Sequence, residues 1–564
     1  MEKGILKISQ ISKIFISKYP VIAFFLILLF FHSSFVKSES YAVASRHHLA
    51  TDIGMKVLEE GGNAIDAAVA VAFALAVVNP SAGNLGGGGF MLLHLAETKE
   101  TLSIDYRERA PKKSFETMFQ DNSGKVIKGL SLNSILASGV PGTVSGMFYA
   151  SRKFGTIDIK SLINPSINLA KEGFALSDFQ AKNLNKYKKK FSKNKEAKKI
   201  FTKTNGFSKG DILVQTNLAS TLKRIAQNGE KEFYSGETAK KIADFFQING
   251  GLLSLEDLNQ FELRILDPVC GNYRVYTICS MAPPSSGGIA LVQILNILEN
   301  INLSEIGHNS KEYLKILISA MDYAYKDRAK YLGDPDYFKV PQDLLTSKKY
   351  ANEIYKKIQE KKLPSKVNVN IIESEETTHF SIVDKWGNAV SNTYTLNTAY
   401  GSGIIPTGTG ILMNNEMDDF SSKPGHPNAY GLVGSVANKI EPRKTPLSSM
   451  SPVIVFRDGE PYLITGSPGG STIITSVLQE ILNILDFQMS LEESSKKSRI
   501  HFQHLPDILF HEQLDDDLIE FLKKDKKLIN RKLGEIHSIL LRKDNIQAFS
   551  DKRRPDGKAS TVYK

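Results

Sequence analysis

Two threonines stand side by side in EETTHFSIVD, residues 375–384. A threonine hydroxyl is a weak nucleophile until a neighbouring base takes its proton, and a free N-terminal amine can be that base. Cleavage of the chain before Thr377 would put such an amine on the same residue as the hydroxyl. Its unperturbed pKa of about 7.7–8 suits general-base work at neutral pH. The following residues read as a hairpin: HFSIVD, the turn KWGN, then AVSNTYTLN. Pairing Asp384 with Ala389 sets Thr378 opposite Thr395 and makes Thr377 and Thr395 diagonal neighbours, so that one hydroxyl supports the other. Acyl transfer also needs donors aimed at an oxyanion. TGSPGGSTII (465–474) supplies a strand end, a glycine turn and a helix start, with the N–H groups of Gly469 and Gly470 as candidate donors.

The elements that must position these groups are mixed. ATDIGMKVLEE reads as a helix stopped by Gly61 and Gly62. Asn63 then caps an Ala/Val-rich helix that ends before Pro80; small residues all round it imply burial. In GNLGGGGFMLLHL the order is helix, glycines, strand. A dinucleotide site needs strand, glycines, helix, so that reading is excluded. LSIDYRERAP is a strand carrying Arg107, and MAPPSSGGIALVQILNILENI is a loop, a Ser cap and an apolar helix. Residues 311–362 are mostly amphipathic helix, and VNVNIIESEE is a polar lead into the threonines. PVIVFRDGEPYLIT gives two strands about an Asp-Gly turn, and STIITSVLQEILNIL a helix. Tight turns between strands favour an α+β fold, an antiparallel sheet covered by helices, over a parallel doubly wound one.

The 564 residues allow one large α/β unit or two domains, and a hydrophobic content of 41% supports a sizeable core. Lys3, Lys7, Lys13 and Lys18 precede the apolar run Val21–Phe31 and a polar exit, the form of a secretory signal over residues 1–39. Export, with the periplasm as the expected destination, permits a disulfide between Cys270 and Cys279; two half-buried thiols are the alternative. The net charge of +11 does not point to nucleic acid. The segment 181–203 alone holds ten Lys and one Glu, without interleaved Arg, and reads as a solvated helical stretch. HFQH (501–504) offers two histidines and no further ligand nearby, so no metal and no cofactor is expected.

Six motifs occur in order: GGGGF, PPSSGG, TTHFSIVDKWGNAVSNTYTLN, NNEMDDF, PLSSMSP and GSPGGS. Together they make the chain, from about residue 42 to its end, resemble the γ-glutamyltranspeptidase (glutathione hydrolase) family of N-terminal-nucleophile hydrolases. The resemblance implies a four-layer αββα sandwich. It implies self-cleavage between Glu376 and Thr377, giving a large subunit of residues 40–376 and a small subunit of residues 377–564 that stay interleaved as a heterodimer. Thr377 would take the γ-glutamyl group of glutathione or a related compound and pass it to water or to an amino acid or peptide amine. Thr395 would position the nucleophile, and Gly469 and Gly470 would hold the oxyanion. By the same resemblance Arg107, Ser448 and Ser449 receive the substrate α-carboxylate, Asn397, Glu416 and Asp419 its α-ammonium, and Tyr430 forms a lid. Three stretches depart from the family pattern: GSVANKI with RKTP, where Thr445 replaces a basic residue; KSRIHFQHLPD; and SDKRRPDG. The first bears on loop packing and acceptor preference, not on the nucleophile. Alternatives are a cephalosporin-acylase-like or poly-γ-glutamate-cleaving amidase of the same superfamily, and an exported solute-binding protein. The last would show parallel βα units and an uncut chain.

Overall fold

Strand residues throughout the centre of the molecule are buried on both faces, because each large sheet has a second sheet on one side and helices on the other. The computed structural model describes residues 40–360, 376–542 and 545–563. The expected signal and most of VNVNIIESEE lie outside the described residues. Residues Tyr41–Thr561 form one compact unit.

Its strands are β1 (Ser40–Ser45), β2 (Gly88–Leu95), β3 (Glu100–Asp105), β4 (Arg264–Leu266), β5 (Val269–Tyr273) and β6 (Tyr276–Ser280). They continue as β7 (Thr378–Val383), β8 (Ala389–Thr395), β9 (Val453–Arg457), β10 (Glu460–Thr465), β11 (His537–Arg542), β12 (Asn545–Ser550) and β13 (Lys558–Tyr563). One sheet runs β13–β1–β7–β8–β2–β3–β4, the other β12–β11–β10–β9–β6–β5. The sheets meet through small residues of the first, Ala42, Ala44 and Ala389, against larger ones of the second, Ile454, Phe456, Ile464 and Ile539.

Helices α1 (His48–Glu59) and α2 (Ala64–Val78) cover the first sheet. The Asn63 cap is present and is reinforced by Asp66, which accepts from the Asn63 N–H. A Cβ on Gly54 would fall 2.7 Å from Val71, so that glycine lets α1 lie close on α2. Helices α3 (Gly287–Leu298), α4 (Lys311–Tyr331), α5 (Lys348–Glu360) and α6 (Ile473–Leu485) cover the second sheet over one large apolar cluster. The layer order is helix, sheet, sheet, helix, as expected from the resemblance, and the parallel βα units of a solute-binding protein are not what these strands form.

Three local expectations need correction. Ala389 pairs with Val383, not Asp384, so Thr378 faces Tyr394 and Thr377 lies level with Thr395. Asp384 is drawn into the turn, where its carboxylate accepts from the N–H groups of Trp386, Asn388 and Ala64. Ser286 does not cap α3: it gives its hydroxyl proton to the Ser448 carbonyl, and Ser285 Oγ accepts from Gly287 N–H instead. The Lys-rich stretch is three short helices, Asp178–Lys186, Lys188–Phe191 and Lys195–Phe201. Its Lys190 is not solvated; Nζ donates to the Ala399 and Gly401 carbonyls, and burial and then Lys193 pull its pKa down to about 7. Cys270 and Cys279 are directly opposed on β5 and β6 and form a disulfide. The departing Thr445 is well packed, with its N–H on Asp334 and its hydroxyl receiving Arg264.

Candidate active site

Thr377 sits at the edge of the first sheet, 2% exposed, where β7 begins. Its hydroxyl donates to Thr395 Oγ1 at 3.4 Å. Thr395 in turn donates to the Glu376 carbonyl at 3.1 Å and accepts from the Asn397 N–H at 2.9 Å. Thr395 thus links the candidate nucleophile to the carbonyl directly before it. A donor on that oxygen withdraws electrons from the carbon and stabilises the charge that an attack would place there.

Residues from five distant stretches converge on Thr377. Arg107, Arg328, Thr377, Thr395, Asn397, Glu416, Asp419, Tyr430, Ser448, Ser449 and Gly470 line one cavity. Arg107, past the end of β3, is 2% exposed. It donates Nε to the Pro446 carbonyl and sets Nη2 2.6 Å from Asp419 Oδ2 and 3.1 Å from Glu416 Oε2. Burial opposes its charge, but Glu416 and Asp419 outweigh that and hold it firmly protonated. Burial drives the Glu416 carboxyl well above the usual carboxylate range, with Arg107 offsetting only part. Both Glu416 oxygens lack hydrogen-bond partners, as do both of Glu108, whose carboxyl burial raises to about 8. Glu416 thus lies at the pocket wall against Arg107, with its Oε1 unpartnered.

Tyr430 closes one side, its hydroxyl donating to the Asn397 carbonyl at 2.7 Å. It packs on Gly470: a Cβ there would lie 2.3 Å from the tyrosine ring, and the residue holds φ +56°. The Gly469–Gly470 turn leads into a short 3₁₀ segment, Gly470–Thr472, and then α6, the strand–turn–helix order expected. Gly470 lines the cavity; Gly469, its neighbour in the chain, is not among the lining residues. Asn397 is held in the left-handed region, φ +77°, with Nδ2 on the Asn415 carbonyl. His501 of HFQH is buried between Thr475 and Gln503, away from any ligand set. Among the described residues no group of His, Cys, Asp and Glu is arranged to hold a metal ion.

Three arginines escaped the sequence reading. Arg328, on α4, reaches the cavity and donates to Ser286 Oγ (3.0 Å) and Ser449 Oγ (3.2 Å); burial lowers its pKa below the ordinary value. Arg46 and Arg554 hold the side chain of Glu376, which points away from the cavity. A lone arginine in a helix or loop carries no signal of its partner. Only Arg554 had a hint, in the departing SDKRRPDG, where Arg553 goes to Glu512 and Asp551 while Arg554 goes to Glu376.

A buried threonine at the mouth of a strand in an αββα sandwich, with its hydroxyl tied to the preceding carbonyl, defines an N-terminal-nucleophile hydrolase. The gamma-glutamyltranspeptidase family model matches residues 50–561. The glutathione hydrolase proenzyme of Escherichia coli (strain K12) is 47% identical, with 92% of each chain covered. That of Bacillus subtilis (strain 168) is 40% identical over 85% of this chain and 84% of its own. The solved Helicobacter pylori gamma-glutamyltranspeptidase is 48% identical, covering 56% of this chain and 90% of that one, with a TM-score of 0.55. A cephalosporin acylase from Bacillus halodurans shares the fold at 22% identity, TM-score 0.80, over 93% of this chain and 96% of its own. The chain belongs to the gamma-glutamyltranspeptidase family.

Proposed function

We propose that this chain is an exported proenzyme that cuts itself between Glu376 and Thr377 and then hydrolyses or transfers the γ-glutamyl group of glutathione and related amides. The observation that carries the reading is the Thr377–Thr395–Glu376 hydrogen-bond chain. Thr377 Oγ1 attacks the Glu376 carbonyl carbon, the C–N bond breaks, and the proton passes to the leaving nitrogen. That break frees the Thr377 amine, and water then hydrolyses the resulting ester to give the Glu376 carboxylate and the Thr377 hydroxyl, with the amine as the base for the second reaction.

In that reaction Thr377 Oγ1 attacks the γ-amide carbon of substrate, with the Gly469 and Gly470 N–H groups facing the oxyanion. The pocket suits an α-amino-acid zwitterion. Arg107 and Arg328, with Ser448 and Ser449, receive the carboxylate; Glu416, Asp419 and Asn397 receive the ammonium. The Arg107–Asp419 pair already present is replaced by two such pairs, so no buried charge is left alone. A glutaryl amide has no ammonium and would leave the acids unpaired, which favours γ-glutamyl compounds over an acylase substrate. The relatives are named proenzymes, in keeping with a large subunit ending at Glu376 and a small one starting at Thr377. The expected signal and the Cys270–Cys279 disulfide support export to an oxidising compartment such as the periplasm.

Denaturing gels and N-terminal sequencing test the reading. The mature protein should give two fragments, the smaller beginning at Thr377, and Thr377→Ala should give one band and no γ-glutamyl release. Cleavage in the alanine variant would refute it.

A further inference from the structure

Glu376 stands directly before the scissile bond, and its side chain is fully buried in a knot of ions. One carboxylate oxygen is 2.9 Å from Arg46 Nη2 and 3.2 Å from the Ser81 hydroxyl. The other is 2.7 Å from Arg554 Nη1. Arg46 also donates Nη1 to the Thr377 carbonyl. One guanidinium therefore grips the side chain before the bond and the backbone after it. Glu535 lies 3.3 Å from Arg46 Nε and 3.5 Å from Arg554 Nε, so the knot holds two charges of each sign. Its N–H donates to Ser467 Oγ, in the turn that carries Gly469 and Gly470.

A planar guanidinium holds a carboxylate in one orientation, and two of them on opposite oxygens leave it no rotation. We propose that Arg46 and Arg554 form a carboxylate clamp that reads the side chain of Glu376 and fixes the Glu376–Thr377 bond for attack, making maturation of this chain specific for glutamate before the nucleophile. The clamp rests on the self-cleavage reading and deepens it. Arg46 and Arg554 are positioning residues: they touch neither the attacking oxygen nor the carbonyl it attacks, and no proton or bond changes on them. An aspartate is one methylene too short to meet both arginines at once, and a glutamine offers one oxygen and no charge.

The test follows fragment formation on denaturing gels after synthesis of the full chain in a cell-free system. Glu376→Gln, Glu376→Asp and Arg46→Met should each slow cleavage tenfold or more. Arg46→Lys keeps the charge and loses the fork; it should slow cleavage while the melting temperature, read in the Thr377→Ala background, stays near that of the parent. The double variant Arg46→Met with Glu376→Met removes one charge of each sign, and should be stable yet cleave no faster than the slower single. Cleavage at the parental rate by Glu376→Gln, by Arg46→Lys or by the double variant would overturn the clamp. Failure of self-cleavage itself shows differently, as an uncut parent or a cut Thr377→Ala chain.

Discussion

Thr377, the proposed nucleophile, is an ordinary residue whose neighbours would make it reactive. Its hydroxyl is led to a carbonyl by Thr395, and that carbonyl is held in place through Glu376. Burial alone would raise the Glu376 carboxyl; Arg554 and then Arg46 hold it down at about 2 instead. A carboxyl depressed on folding stabilises the folded state above its unfolded pKa, and that stability is lost as pH falls through the folded value. In the Thr377→Ala precursor, unfolding free energies compared with and without Glu376→Gln should differ most above pH ~4.5, by about 3 kcal/mol at the full shift. The difference should shrink steadily as pH falls towards 2. Urea titrations across that range measure it, and a difference that grows on acidification would reverse the assignment. Thr377 and Thr395 were legible because both sat in a recognisable motif, and Arg107 was reached only through the family resemblance. Arg46 and Arg328 were not, because an ion pair is a fact about two distant residues and sequence shows only one at a time.

At the scale of elements, the turn after β10 does two jobs. It leads from β10 into α6 at the pocket that Thr377 lines, where its backbone donors would face the oxyanion, and it makes room for Tyr430. Both jobs require glycine at position 470: the backbone is left-handed there, and the ring leaves no space for a methyl. Gly470→Ala should therefore push Tyr430 off the pocket and shift the turn. Losing one oxyanion donor costs about 10²–10³ in kcat, and the expected loss in γ-glutamyl release is of that order, with the protein still folded by circular dichroism. An alanine variant of normal activity would remove this turn from the mechanism. The turn was readable from TGSPGGSTII, since strand, glycines and helix follow each other in the chain. The hairpin register was misread by one residue because Asp384 looks like strand but hydrogen-bonds like turn, and part of its capture comes from Ala64, far away in sequence.

For the whole molecule, the proposed cut would fall inside a sheet rather than between domains. β7 and β8, after the scissile bond, lie between β1 and β2, before it. Both sheets mix strands from the two sides, and the cluster between them draws on both. Separation would break four ladders, β13–β1, β1–β7, β8–β2 and β9–β6, and expose the core of each sheet. The fragments should therefore elute together from a sizing column in native buffer and part only in denaturant; separate elution of either in native buffer would contradict this architecture.

By itself the sequence determined the class of fold and the glycine turn, and nominated Thr377 and most of the residues that line the pocket, because those features are local: a motif, a period, a turn composition. The tertiary structure alone decided the register that sets Thr377 level with Thr395, the burial of Lys190 and the arrival of Arg328 in the pocket. It also decided the closing of Arg46 and Arg554 on Glu376 from opposite ends of the chain. The reason is physical. A buried charge is tolerated only where an opposite charge meets it, and which residues meet is settled by packing, not by order along the chain.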